Sequence, residues 1–211
     1  MSDLQRTADW HQQRLGKVTA SRVADIIART RSGWGAGREN YKAQLVCERL
    51  TGAPTECFTN AAMLWGIEKE SEARQAYCFR FDCDVEEVGF IDHHTIAMAG
   101  ASPDGLVGAD GMTEFKCPQT ATHIQTLLGG TIPEKYRTQM LWQMACTGRK
   151  WCDFASYDPR LPESMRLFVQ RLERDDAEIA KLEALVIDFL SEVDETVAKL
   201  RSRYEAERLA A

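Results

Sequence analysis

The stretch 102–118 reads SPDGLVGADGMTEFKCP, and it does the most to limit what this chain can fold into. One strand signal, TIAMAGAS (95–102), runs into it. A second, MTEFKC (112–117), closes it after the turn-former Ala-Asp-Gly. Read as neighbouring strands, these segments alternate their side chains between two faces. Glu114 and Lys116 then share one face, while Phe115 and Cys117 point to the other. Asp104 lies where the first strand turns, at Pro103-Asp104-Gly105, so its carboxylate comes beside Glu114 across the hairpin. The apolar neighbours Leu106 and Phe115 imply a packed sheet with these charges near its interior.

Burying two carboxylates is costly unless something compensates them. A divalent cation with a lysine beside it would do so. Two oxygen-rich ligands suit Mg²⁺ or Mn²⁺, hard cations that prefer carboxylates and keep waters. Such an ion polarises a phosphoryl oxygen and lowers the pKa of a bound water. Lys116 would orient that water, or stabilise charge developing on a pentavalent phosphorus. A surface hairpin with an ordinary Glu–Lys pair is the other reading, and Asp-x₉-Glu-x-Lys alone does not separate the two.

The remaining segments set the fold class. Helical spacing covers 21–30, 41–52, 60–81, 120–128 and 133–147, and a long amphipathic helix runs from about 175 to 207. RSGWGAGR (31–38), with three glycines, reads as a loop. Further strand signals fall at 85–91, 150–157 and 165–172. The expected architecture is one α/β (α+β) domain over 1–211, with its core at about 10–175. Helices flank a central mixed sheet of about five strands.

Composition narrows the function classes. A hydrophobic content of 44% with 27% charged residues is that of a globular protein, and no apolar run approaches a membrane span. The N-terminal residues lack the apolar core of a signal peptide, so a soluble protein in the cytoplasm is expected. Seven cysteines without CxxC spacing, and four histidines without zinc spacing, read as reduced thiols and no zinc site. Net charge is −6, but residues 1–50 carry nine Lys/Arg against five Asp/Glu, while 51–120 carry four against twelve. A basic arm beside an acidic centre suits a metal site next to a phosphate-binding surface; a solvated acidic face is the alternative.

Several residues could join the site. Glu70, in WGIEKESEAR, could add a third carboxylate, or lie on a solvated helix face. Gln139 and Gln143, four apart, share a helix face and could hold a water or a phosphate, or be polar surface. Arg14 offers a planar fork for phosphate oxygens, and Ser21 sits at a helix start whose free N–H groups favour an anion. A helix cap and a surface arginine fit the same two residues. Met63, seven residues before Glu70 and so on nearly the same face, could wedge a duplex open or pack in the core.

Asp104…Glu114-Phe115-Lys116, introduced by Pro103, resembles the PD-(D/E)XK nuclease signature. WHQQRLGKVTAS (10–21), LWGIEKESEAR (64–74), SPDGL (102–106), EFKCP (114–118), YRTQMLWQM (136–144) and YDPR (157–160) narrow it. In order, they resemble the phage lambda exonuclease branch of the YqaJ-like viral recombinase family. The resemblance implies a restriction-endonuclease-like core. It also implies a 5′→3′ exonuclease on double-stranded DNA, dependent on Mg²⁺, with Mn²⁺ as a substitute and two ions per site.

By position, Asp104, Glu114 and the backbone carbonyl of Phe115 would ligate metal, with Glu70 at the second ion. Lys116 would be the catalytic lysine and Gln139 the motif glutamine. Arg14, Ser21 and Ser102 would receive the 5′-phosphate. Loop 31–38, which carries Arg31 as a candidate DNA contact, departs from the family in composition. The implied partners are duplex DNA ends, two further copies in a ring-shaped homotrimer, and a single-strand annealing protein, in a bacterial or phage-infected host cell. Two other classes share some of these features: an endonuclease or Cas4-like nuclease on the same core, and a non-catalytic DNA-binding recombination module.

Overall fold

The computed structural model describes residues 4–31, 33–55 and 60–209. The chain begins with α1 (Ala8–Arg14), β1 (Val18–Thr19), a 3-10 turn (Ala20–Arg22) and α2 (Val23–Ile27). A short strand pair, β2 (Arg29–Thr30) and β3 (Gly33–Trp34), leads to α3 (Ala36–Thr51) and α4 (Ala61–Phe81). Four strands follow: β4 (Ile91–Asp92), β5 (Ala99–Ala101), β6 (Gly105–Val107) and β7 (Gly111–Lys116). The helices α5 (Thr120–Gly129) and α6 (Glu134–Thr147) precede β8 (Trp151–Tyr157), β9 (Leu167–Glu173) and the closing α7 (Asp176–Leu209).

The main sheet has the order β6-β7-β8-β9. β7 and β8 are parallel, in register from Gly111↔Trp151 to Lys116↔Ser156, because α5 and α6 supply the crossover that a parallel pair requires. β6 and β9 pair antiparallel on either side. At Gly111 a Cβ would fall 2.0 Å from the Trp151 ring, so only glycine allows the strands this approach.

This differs from the single sheet of about five strands expected from the sequence. The 95–102 segment supplies β5 to a separate three-stranded sheet, β1-β5-β4, and β7 pairs instead with 105–107. The switch falls at Ser102-Pro103-Asp104, where proline has no N–H to continue a ladder. Of the 85–91 segment only Glu86 bridges to the main sheet and Ile91 pairs in β4. The expected loop at 31–38 contains β3 and the first turn of α3. Trp34 anchors it, stacked under the guanidiniums of Arg29 and Arg38 at 3.1 and 4.1 Å.

Alternation along β7 and β8 feeds two apolar clusters. Met112, Cys152 and Phe154 join the larger one, with α2, α3, α6 and the buried stripe of α7 running from Ile179 to Val197. Phe115, Cys117, Ala155 and Tyr157 pack with Ala73 and Tyr77 of α4. The α4 side is locked further by buried Asp153, which accepts from the Tyr77 hydroxyl at 2.7 Å and from Arg171 at 2.8 and 2.9 Å. Among the described residues every cysteine is a free thiol, and no helix is long and apolar enough to cross a membrane. Cys57 lies outside the described residues.

Candidate active site

Strand alternation turns Glu114 and Lys116 to the α6 side of β7. Glu114 is fully buried, and its oxygens are divided between donors. Oε1 accepts from Gln139 Nε2 at 2.6 Å and pairs with the Lys116 ammonium. Oε2 accepts from Gln143 Nε2 at 2.6 Å. The i, i+4 spacing of the two glutamines on α6 makes this two-handed grip possible. Gln143 is as fully buried as the carboxylate it holds. The four-residue spacing made both amides candidates, while the family resemblance gave a role to Gln139 alone.

Asp104 immediately precedes β6, whose Gly105 pairs with Thr113, so the register sets it opposite Glu114. Its Oδ2 accepts the Phe115 N–H at 2.7 Å. The N–H and C=O of one strand residue point to the same edge, so the Phe115 carbonyl also faces the Asp104 side. Burial, then the charge of Glu114, holds the Asp104 carboxyl well above its ordinary range, against the pull of Lys116. Burial works against the charge on Lys116, but Glu114 and Asp104 outweigh it and push its pKa up. The lysine is therefore a firmly protonated ammonium, 26% exposed and 5.2 Å from the Tyr136 ring centroid.

Glu70 comes close by another route. Its carboxylate accepts from Arg6 at 2.9 Å and from Arg74 at 3.3 Å, and the same Arg74 nitrogen reaches the Asp104 carbonyl at 3.4 Å. Arg74 is thus a bridge that the sequence, read as a helix face, did not signal. Among the described residues no three His, Cys, Asp or Glu side chains form a group able to hold a metal ion. The oxygens of Glu70 are committed to arginines. Asp104 and Glu114 are the pair the strands assemble, and with the Phe115 carbonyl they form an all-oxygen donor set of the kind a hard divalent cation takes. Burial first, and the charge of Glu114 second, raise the Asp104 carboxyl, and such a cation would offset both.

A second cluster lies at the end of the smaller sheet. Ser102 Oγ accepts from Trp10 Nε1 at 2.9 Å and from Arg14 Nη1 at 3.4 Å, and the Arg14 guanidinium stacks 3.9 Å over Trp10. β1 and β5 run parallel with Thr19 opposite Gly100, so Ser21 and Ser102 leave them at matching positions. Ser21 is exposed there. Met63 is 49% exposed in the first turn of α4, which favours a surface role over the core alternative. Arg31 is exposed in the turn between β2 and β3.

The model of the YqaJ-like viral recombinase domain matches residues 9–150. An alkaline exonuclease from Laribacter hongkongensis is similar at 51% identity and a TM-score of 0.89, over 96% of this chain and 100% of that one. The same figures hold for that enzyme in complex with dAMP. A phage-related exonuclease from Haemophilus somnus 129PT shares the fold, at 14% identity and a TM-score of 0.69, over 87% of this chain and 96% of that one. No curated protein matches the chain.

Proposed function

Because the chain belongs to the YqaJ-like viral recombinase family, we propose that it is a metal-dependent exonuclease. It digests one strand of linear duplex DNA from the 5′ end and leaves a 3′ single strand for annealing. The observation that carries this reading is the buried Glu114, gripped by two amides and paired with Lys116, opposite Asp104. A deoxynucleoside monophosphate, the kind of ligand seen with the Laribacter enzyme, is the expected product.

Mg²⁺, or Mn²⁺ in its place, would be held by Asp104, Glu114 and the Phe115 carbonyl, with Glu70 near a second ion, and would polarise the scissile phosphate. Gln139 and Gln143 fix the Glu114 rotamer, so that its oxygens need no rearrangement as the substrate arrives. Lys116, firmly protonated, stabilises negative charge building on the phosphoryl oxygens. Arg14 and Ser102 present donors to a terminal 5′-phosphate, with Ser21 beside them. Met63, exposed and upstream of Glu70, would separate the strands.

In this reading three copies surround the duplex, the basic first fifty residues face inward, and an annealing protein coats the exposed strand in a bacterial or phage-infected cell. Closed cyclic symmetry would satisfy every interface. Duplex labelled at either 5′ or 3′ ends tests polarity: early release of the 5′ label is expected, and early release of the 3′ label would overturn it. Light scattering tests assembly, with a mass near three times 23.8 kDa expected and a monomer contradicting the ring.

A further inference from the structure

The Tyr-Asp-Pro-Arg run at 157–160 has no part in the chemistry above, yet it ends at the side of the site. β7 and β8 are parallel and finish together, at Lys116 and Tyr157. Ligand sites of α/β sheets lie beyond such carboxyl ends. Asp158, fully buried, accepts the Arg160 fork at 2.7 and 3.0 Å and the Arg160 backbone N–H at 3.0 Å. The same guanidinium donates to the Pro118 carbonyl at 3.2 Å, two residues beyond Lys116, and lies 4.4 Å over the ring of Trp65 in α4.

α4 needs such a contact. Its buried residues are Ala73 and Tyr77, both in the C-terminal half, where Tyr77 is also tied to Asp153. Ala61 to Leu64 are exposed, and Gly66 adds no side chain to the packing. Glu70, tied to Arg6 and Arg74, follows one turn on, while Met63 sits on this thinly held stretch. Trp65 is its large apolar contact with the cluster around Phe115. The indole Nε1 has no hydrogen-bond partner, so the ring is held by packing and by the cations over it, Arg160 and, at 5.3 Å, Lys69.

We propose that Arg160, oriented by Asp158, is a positioning residue. It clamps Trp65 and so fixes the N-terminal half of α4, with Glu70 and Met63, against the carboxyl ends of β7 and β8. The proposal rests on the exonuclease reading for its catalytic consequence, but not for its structural one. Arginine is required because the contact uses a planar fork and a stacking face together, which an ammonium does not supply. The charge is already balanced by Asp158, which argues against a primary role in binding phosphate.

Arg160→Ala would leave Asp158 buried without its counterion and invites unfolding. The test therefore uses Arg160→Lys and Trp65→Leu, with Trp65→Phe as the conservative control. Amide hydrogen exchange should accelerate about tenfold or more over 61–70 in the first two variants and stay unchanged around 73–77. On duplex DNA, kcat should fall about tenfold while KM stays within about twofold. Trp65→Phe should restore both. Unchanged exchange over 61–70, or acceleration spread evenly along α4, would overturn the clamp. A raised KM with unchanged kcat would place Arg160 on the DNA instead, and also overturn it. If the unmutated protein digests no DNA, the exonuclease reading fails by itself, and the exchange measurement still decides the clamp.

Discussion

Glu114 and Gln143 are both shut off from solvent, and the Gln143 amide donates to Glu114 Oε2 at 2.6 Å. A buried carboxylate is costly unless its lone pairs are met. Gln139 and Lys116 serve one oxygen, so Gln143 alone serves the other among the described contacts. Gln143→Leu should then cost about 1–3 kcal/mol of stability, the penalty for a buried acceptor left without its donor. Nucleotide release should slow as well, because the rotamer of Glu114 is no longer fixed. Thermal unfolding and turnover at saturating DNA check both; a variant as stable and as fast as the parent contradicts this role.

Arg14 reaches Ser102 while stacked on Trp10, so its guanidinium plane is set before any ligand arrives. Arg14→Ala should reduce the preference for 5′-phosphorylated over 5′-hydroxyl ends by about 1.5–3 kcal/mol, one charge-assisted contact. Competition between the two kinds of end measures it. Equal digestion of both by the parent protein would remove the phosphate pocket from this location.

Far from the site, Arg38 is 1% exposed and pairs with Glu192 of α7, which also accepts from Lys42 at 3.2 Å. Burial raises the Glu192 carboxyl, but the hydrogen bonds from Arg38 and Lys42 outweigh it and hold the carboxyl below its usual range. The folded pKa is thus below the unfolded value of about 4.3. The pair therefore stabilises the fold above that pH, and the contribution disappears as pH falls through the depressed value. Glu192→Gln should lose up to about 1 kcal/mol at neutral pH, since Glu192 is partly exposed, and little in acid. Urea unfolding at the two pH values decides; a loss independent of pH contradicts the ionic origin.

The strand face shared by Glu114 and Lys116 and the turn at Asp104 were legible because period-two alternation and Pro-Asp-Gly are local signals. The partner of β7 was not. That choice depends on Pro103 ending one ladder and on Trp151 packing over Gly111, a contact 40 residues apart. The hairpin at Trp34 was hidden for a similar reason: its glycines read as a loop, while the cation stacking that holds it comes partly from α3. Neither Arg74 nor Arg160 receives a role from the sequence, because their partners, the Asp104 carbonyl and the buried Asp158, depend on chain reversals that no short pattern encodes.

Lys116 gives the most direct test of the proposed chemistry. Linear 5′-phosphorylated duplex is offered to the parent protein and to Lys116→Ala, each with Mg²⁺ and with EDTA, and mononucleotides are counted. The parent should release them only with Mg²⁺. Lys116→Ala should still bind duplex but release them at least about a hundredfold more slowly. Near-normal release by Lys116→Ala, or equal release by the parent in EDTA, would contradict the assignment of catalysis to Asp104, Glu114 and Lys116.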